Sequence, residues 1–151
     1  MLLTRDEVEM RADAERLAEI ITNFQRCFLL NVSKELARGQ VSFAQYLLLG
    51  FLYNKQTLTM TEIASKMGHT TAAATGLVDR LENLGHVRRM HSSDDRRKIE
   101  VSITPSGEKL VEKVRADMVE NLVVVMGELS VDEQKSWLQI YEKLFQICQR
   151  K

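Results

Sequence analysis

Between Thr59 and Thr104 the spacing of apolar residues changes once, from the period of a helix to that of a strand, and each boundary carries residues that cap or turn a chain. The segment opens with Thr59-Met60-Thr61-Glu62. A threonine there can cap a helix, and a glutamate three positions on can reach back to the cap's own amide. The helix so begun carries Ile63, Ala64 and Met67 inward and ends at Gly68, because glycine accepts the left-handed conformation that closes a helix. A second helix follows at once. Either Thr70 or Thr71 caps it, Leu77, Val78, Leu81 and Leu84 form its apolar stripe, and Gly85 stops it. Two helices across so short a turn make a helix-turn-helix.

After Gly85 polar and apolar residues alternate, most clearly in Lys98-Ile99-Glu100-Val101-Ser102-Ile103, which predicts a half-buried strand. Its partner is His86-Val87-Arg88-Arg89-Met90-His91. The loop between them, Ser92-Ser93-Asp94-Asp95-Arg96-Arg97, has no apolar residue to bury. A hairpin with a charged tip beside a helix-turn-helix is a wing, and the second helix of such a motif is the one that enters the major groove of DNA.

The stretch VDRLENLGHVRRMHSSDDRRKIEVSITPSGEKL resembles the core of the multiple-antibiotic-resistance regulator (MarR) family. The matching pieces are Asp79-Arg80-Leu81-Glu82, Gly85, Arg89, Asp95-Arg96-Arg97 and Thr104-Pro105-Ser106-Gly107, at the right spacing throughout. Length and flanking helices also fit, so the resemblance covers essentially the whole chain. It implies a mainly α fold with a small β-hairpin, a winged helix-turn-helix with long flanking dimerisation helices.

Overall charge is silent, with 21 basic against 21 acidic residues, but its distribution is not. Residues 55 to 104 hold eight basic and six acidic side chains, whereas the segments on either side are each slightly acidic. The surplus is concentrated at Arg80, Arg88, Arg89, Arg96, Arg97 and Lys98. Taken alone, such a surplus is as readily an ordinary solvated face; beside a helix-turn-helix it points to nucleic acid.

The flanks are amphipathic or strongly apolar. Leu17, Ile21, Phe24, Phe28, Val32 and Leu36 recur at helical spacing from about Asp6 to Leu36, before Gly39. Ser42-Phe43-Ala44-Gln45 offers a capping box for a core helix through Leu47, Leu48, Phe51 and Leu52. Thr104 caps a helix with Pro105 at its first position, running to about Glu128. Ser130-Val131-Asp132-Glu133 caps a last helix bearing Trp137, Leu138, Tyr141, Leu144, Phe145 and Ile147. These terminal faces either fold back on their own domain or meet a partner. The resemblance implies the second, a homodimer in which the first helix and the last two interlock with those of a second copy. The expected organisation is a dimerisation helix over 1–40, a DNA-binding region over 41–104 and dimerisation helices over 105–151, forming one intertwined domain.

For the DNA interface, the amino-terminal half of the second helix supplies Thr70, Thr71, Ala72, Ala73 and Thr75. Many relatives carry an arginine where this chain has Gly76, and no long bidentate reader of guanine takes its place. Small methyl-bearing side chains suit thymine methyls, so an A·T-leaning operator read largely by shape is expected. Arg96 and Lys98 read as phosphate contacts. In the family pattern the arginine of Asp-x-Arg enters the minor groove and the aspartate orients it, which falls on Asp95 and Arg97. Arg80 is either a phosphate contact or half of an intramolecular ion pair. Arg89 is either a DNA contact or a structural partner for a wing carboxylate.

The family resemblance further implies repression relieved by a small aromatic or phenolic effector bound between the dimer helices and the winged domain. Phe24, Phe28, Tyr46 and Met60 are the candidates for lining that site, although aromatic and methionine residues at helical spacing are more often plain core. Some relatives sense peroxides through a cysteine on the first helix; Cys27 lies about ten residues closer to the second helix than theirs and reads better as an inert buried residue. His69, His86 and His91 lack a ligand-pair spacing, so no metal or other cofactor is implied. No glycine-rich phosphate loop, His-Glu-x-x-His pair or Gly-x-Ser-x-Gly elbow is present, which argues against an enzyme. The longest apolar run, Tyr46 to Tyr53, falls far short of the roughly 18 to 20 residues of a membrane span. With two cysteines and no secretory signal, a reducing cytoplasm is expected. The contrasting function is an architectural DNA-binding or protein-interaction module on the same fold.

Overall fold

The computed structural model describes residues 5–54, 57–92, 95 and 98–150, with the side chains at 5 and 25–35 outside that set. The elements follow in the order α1 (Arg5–Arg38), α2 (Phe43–Tyr53), β1 (Leu58–Thr59), α3 (Met60–Met67), α4 (Thr71–Asn83), β2 (Val87–His91), β3 (Ile99–Ile103), α5 (Pro105–Gly127) and α6 (Val131–Gln149). The chain forms two compact units, Met1–Val114 and Arg115–Lys151, whose boundary falls within α5. The fold is mainly helical with a small antiparallel sheet, a winged helix-turn-helix.

Local chemistry sets most of the helix starts. Ser42 and Gln45 form a reciprocal capping box at α2, as do Thr59 and Glu62 at α3 and Ser130 and Glu133 at α6. Each box satisfies two of the amide donors that a helix start leaves without intrahelical partners. Thr70, not Thr71, caps α4, its hydroxyl accepting from the Ala73 amide at 3.2 Å. Gly68 ends α3 at φ +63°, where a β-carbon would be strained, and the His69 amide then bonds the Ala64 carbonyl at 2.9 Å.

The sheet has the order β1-β3-β2 and is antiparallel throughout. Val87 pairs with Ile103 and His91 with Ile99. Each wing strand is one residue shorter than the alternation predicts. The His86 amide is taken by the Leu81 carbonyl in closing α4, and the Lys98 amide by the Asp95 carbonyl in the turn. The third strand, β1, is a two-residue piece pairing Leu58 with Val101, and the sequence carries no periodic signal for it.

The first unit's core joins α2, α3, α4 and the sheet through Leu48, Leu52, Ile63, Val78, Leu81 and Val101, all fully buried. α2 is apolar on every side, so only one of its faces can meet that core. Leu48, Leu49 and Leu52 are on it, whereas Leu47 and Phe51, expected inside, are exposed. Lys66 covers part of the Phe51 ring, its Nζ 5.7 Å from the centroid.

In the second unit the Gln134 side-chain amide donates to the Met126 and Leu129 carbonyls at 2.8 and 3.0 Å, closing the turn between α5 and α6. No residue of α6 is buried, and Leu138, Tyr141, Leu144, Phe145 and Ile147 are exposed. Leu17, Ile20 and Ile21 of α1 are exposed likewise. None of the described helices is long and apolar enough to cross a membrane.

Candidate nucleic-acid interface

α4 has one buried face and one open one. Ala74, Val78 and Leu81 pack inward, while Thr71, Ala72, Ala73, Gly76 and Arg80 are exposed and Thr75 is half-buried. The predicted readers therefore share the amino-terminal half of one helix. Their hydroxyls are not equivalent. Thr70 is committed to its cap, and Thr75 donates to the Thr71 carbonyl at 2.8 Å. Among the described residues, no hydrogen bond engages the Thr71 hydroxyl, which leaves it available to an incoming partner.

The wing is the β2–β3 hairpin, closed at its tip by the Ser92 amide on the Lys98 carbonyl at 2.9 Å. Ser92 is buried there, Asp95 is half-buried and Lys98 is exposed. Arg96 and Arg97 lie outside the described residues. Arg88 is tied across the hairpin to Ser102, Nε to Oγ at 3.2 Å.

Arg89 makes an intramolecular ion pair, but not to the wing carboxylate considered from sequence. Its Nη2 lies 2.6 Å from Asp79 Oδ1, and its Nη1 donates to Glu82 Oε2. The Arg89 backbone amide also donates to Glu82 Oε1, at 3.1 Å. Both acids belong to α4 and stand about one turn apart. Partial burial works against the charged guanidinium, yet the bonds to Asp79 and Glu82 outweigh it and raise the Arg89 pKa. Sequence reasoning missed this role for Asp79 and Glu82; their helical spacing places them on one face, but which basic residue faces them is decided by the β2–α4 packing. Arg80 is exposed and makes no ion pair with a described residue.

The Thr104-Pro105-Ser106-Gly107 motif joins the wing to α5. The Thr104 hydroxyl donates to the Gly85 carbonyl at 2.6 Å and accepts from the Gly107 amide at 3.2 Å. The Thr104 amide donates to the His86 carbonyl at 3.0 Å, and Ser106 Oγ lies 3.2 Å from His86 Nδ1. Burial in this junction lowers the His86 pKa.

The effector candidates are distributed over three elements: Phe24 on α1, Tyr46 on α2 and Met60 at the start of α3. Phe24 is exposed, and Tyr46 and Met60 are half-buried, with Tyr46 6.4 Å from the Phe43 ring. The Phe28 and Cys27 side chains lie outside the described set. An open cleft of about 540 Å³ lies where the end of α1 and the start of α2 meet α4. It is lined by residues including Leu36, Val41, Gln45 and Arg80, and by none of Phe24, Tyr46 and Met60. Among the described residues no three His, Cys, Asp or Glu side chains converge as metal ligands, and the Cys148 thiol is free and exposed.

Comparison with known proteins agrees with this geometry. The MarR family model matches residues 40–98, from the start of α2 to the wing tip. The chain is 31% identical to the HTH-type transcriptional repressor MdtR of Bacillus subtilis over 109 residues, 72% of this chain and 70% of that one. The solved structure of a MarR family protein from Bacillus stearothermophilus superposes with a TM-score of 0.81 at 22% identity, covering 92% of this chain and 97% of that one. A point mutant of MepR from S. aureus, bound to an oligodeoxyribonucleotide, superposes with a TM-score of 0.67, also at 22% identity, over 87% and 97% of the two chains. The chain spans about half the length of some curated relatives it matches: the alignment with the HTH-type transcriptional regulator YfiV of B. subtilis, 43% identical over 70 residues, covers 46% of this chain and 44% of that protein. A helix-turn-helix with an exposed second helix, a charged wing locked to it, and a repressor relative matched over most of both chains together make this chain a member of the MarR family of transcriptional regulators.

Proposed function

We propose that this regulator is a ligand-responsive repressor that binds a pseudo-palindromic operator as a homodimer. The observation that carries the reading is the open amino-terminal half of α4, where Thr71, Ala72 and Ala73 stand exposed beside the wing. A helix presented this way reads base edges in the major groove, while the wing reaches the adjacent minor groove. Thr70, Thr71, Ala72, Ala73 and Thr75 face the bases in this reading, and Arg80, Arg96 and Lys98 contact phosphates. Arg97 enters the minor groove with Asp95 orienting it. The DNA-bound state of the MepR mutant supports the same use of the fold here.

Dimerisation is supported by the apolar surface that α1 and α6 leave open on a single chain. A two-fold assembly reads half-sites about one turn of duplex apart. The effector in this proposal is a small aromatic or phenolic compound, with Phe24, Phe28, Tyr46 and Met60 as the residues to test, and the compartment is the cytoplasm.

Selection of bound sequences from a random DNA pool tests the reading, followed by fluorescence anisotropy on the selected and a scrambled duplex at two salt concentrations. The expected result is an A·T-leaning inverted repeat preferred by orders of magnitude, with the preference lost in Arg97→Ala. Equal, salt-fragile binding to both duplexes would instead mark an architectural protein. Enrichment of G·C-rich half-sites would overturn the proposed mode of base readout. Once an operator is in hand, a screen of aromatic acids for release of the labelled duplex tests the effector.

A further inference from the structure

Arg89 belongs to the wing, and both of its acidic partners belong to the recognition helix. Three hydrogen bonds converge there: Nη2 to Asp79 at 2.6 Å, Nη1 to Glu82, and the Arg89 backbone amide to Glu82 at 3.1 Å. Glu82 therefore holds both the side chain and the main chain of the first wing strand. The Arg89 side chain is 24% exposed, against 53% for Asp79 and 38% for Glu82, so the site is partly withdrawn from solvent. A planar guanidinium can serve two carboxylates at once, which a lysine ammonium on a flexible stem does less well.

This geometry gives Arg89 a different task from its basic neighbours. A guanidinium spent on two carboxylates has little left for a phosphate, and releasing it would leave two negative charges on the helix that approaches the duplex. We propose that Arg89 is a positioning residue: it fixes the wing to the carboxyl half of α4 so that helix and wing meet their grooves in one fixed relation, and it does not itself touch DNA. The inference rests on the DNA-binding reading above. Affinity for any duplex comes from phosphate contacts, whereas preference for one sequence needs helix and wing in register together. Loss of Arg89 should therefore lower preference more than it lowers attraction.

The test compares wild type, Arg89→Ala, Lys98→Ala and the double variant Asp79→Asn/Glu82→Gln on operator and scrambled duplex across a salt series, with circular dichroism to report folding. For Arg89→Ala the operator preference falls about tenfold, the scale of one mismatched base pair, while scrambled-DNA affinity and its salt dependence stay as in wild type. Lys98→Ala, a phosphate contact, flattens the slope of log affinity against log salt by about 0.9 on both duplexes. The double variant keeps the Arg89 charge and removes two acids from α4, yet it loses preference as Arg89→Ala does. A flattened salt slope in Arg89→Ala overturns the proposal in favour of a phosphate contact. An equal loss on both duplexes at unchanged slope overturns it in favour of a purely structural role, and tighter binding of both duplexes by the double variant in favour of simple charge repulsion. Wild type without sequence preference fails the DNA-binding reading itself, a result seen before any variant is made.

Discussion

A β-carbon on Gly107 would run into the His86 carbonyl oxygen, closer than two such atoms can stand. The same carbonyl accepts from the Thr104 amide at 3.0 Å, and Ile103 Cγ1 would lie 2.8 Å from the added carbon. Neither side has room to retreat, because the contact joins the start of α5 to the residue that leads into the wing. Gly107→Ala is expected to destabilise the fold by about 1 to 3 kcal/mol, the usual range for forcing an extra carbon into a packed site. Urea unfolding followed by circular dichroism checks it; a midpoint within error of wild type contradicts the contact.

Gly76 is the opposite case. Nothing lies within 4 Å of a β-carbon built there, and the residue sits in the interior of α4. Replacing a mid-helix glycine with alanine removes an entropic cost of roughly 0.5 to 1 kcal/mol. Gly76→Ala should raise stability in denaturant unfolding by about that amount, and a loss would show that the position is not open in the free protein.

The Thr70 cap sets where the exposed half of α4 begins. Thr70→Ala removes the hydroxyl that accepts from the Ala73 amide, at a cost of about 1 kcal/mol. Fraying would begin at Thr71 and Ala72, so operator affinity should fall with it. Thr70→Ser, which keeps the acceptor, should restore both stability and affinity; a serine variant no better than alanine would detach the cap from either effect.

Two carboxylates and one imidazole give stability a readable pH dependence. The amide and hydroxyl of Thr59 hold Glu62 below its ordinary pKa of 4.5, and the hydroxyl and amide of Ser130 do the same for Glu133. A depressed carboxylate contributes stability above pH 4.5 that is lost as pH falls through the lower folded value. Burial lowers the His86 pKa from 6.5, so the unfolded chain takes up that proton first and stability starts to fall below pH 6.5. In denaturant unfolding from pH 7 to pH 3, His86→Gln should flatten the upper part of the decline and Glu62→Gln the lower part. A decline unchanged in both variants would remove these groups from the account.

The last helix offers a direct test of assembly. Phe145 and Leu144 of α6 are 64% and 51% exposed on the single chain. If a second copy covers them, a charge placed there must be buried without a partner or the interface must open. Phe145→Glu should convert a dimer to a monomer in sedimentation velocity, with helical content retained. A variant that sediments as wild type does would place the interface elsewhere.

Much of this architecture was legible because its signals are local. The capping pairs Ser42 with Gln45, Thr59 with Glu62 and Ser130 with Glu133 each act across a single turn, so spacing alone determined where those helices begin. Gly68 and the alternation ending at Ile103 did the same for the turn and the wing. Tertiary structure decided what depends on which elements meet. It recruited Leu58 to a third strand opposite Val101, and it left Leu47 and Phe51 outside a core that takes only one face of α2. It turned Arg89 toward Asp79 and Glu82 and pressed Gly107 against His86. Caps and periods are chemistry between neighbours along the chain. Partners such as Arg89 and Asp79 are brought together only when helix and sheet pack, and the sequence by itself does not carry that geometry.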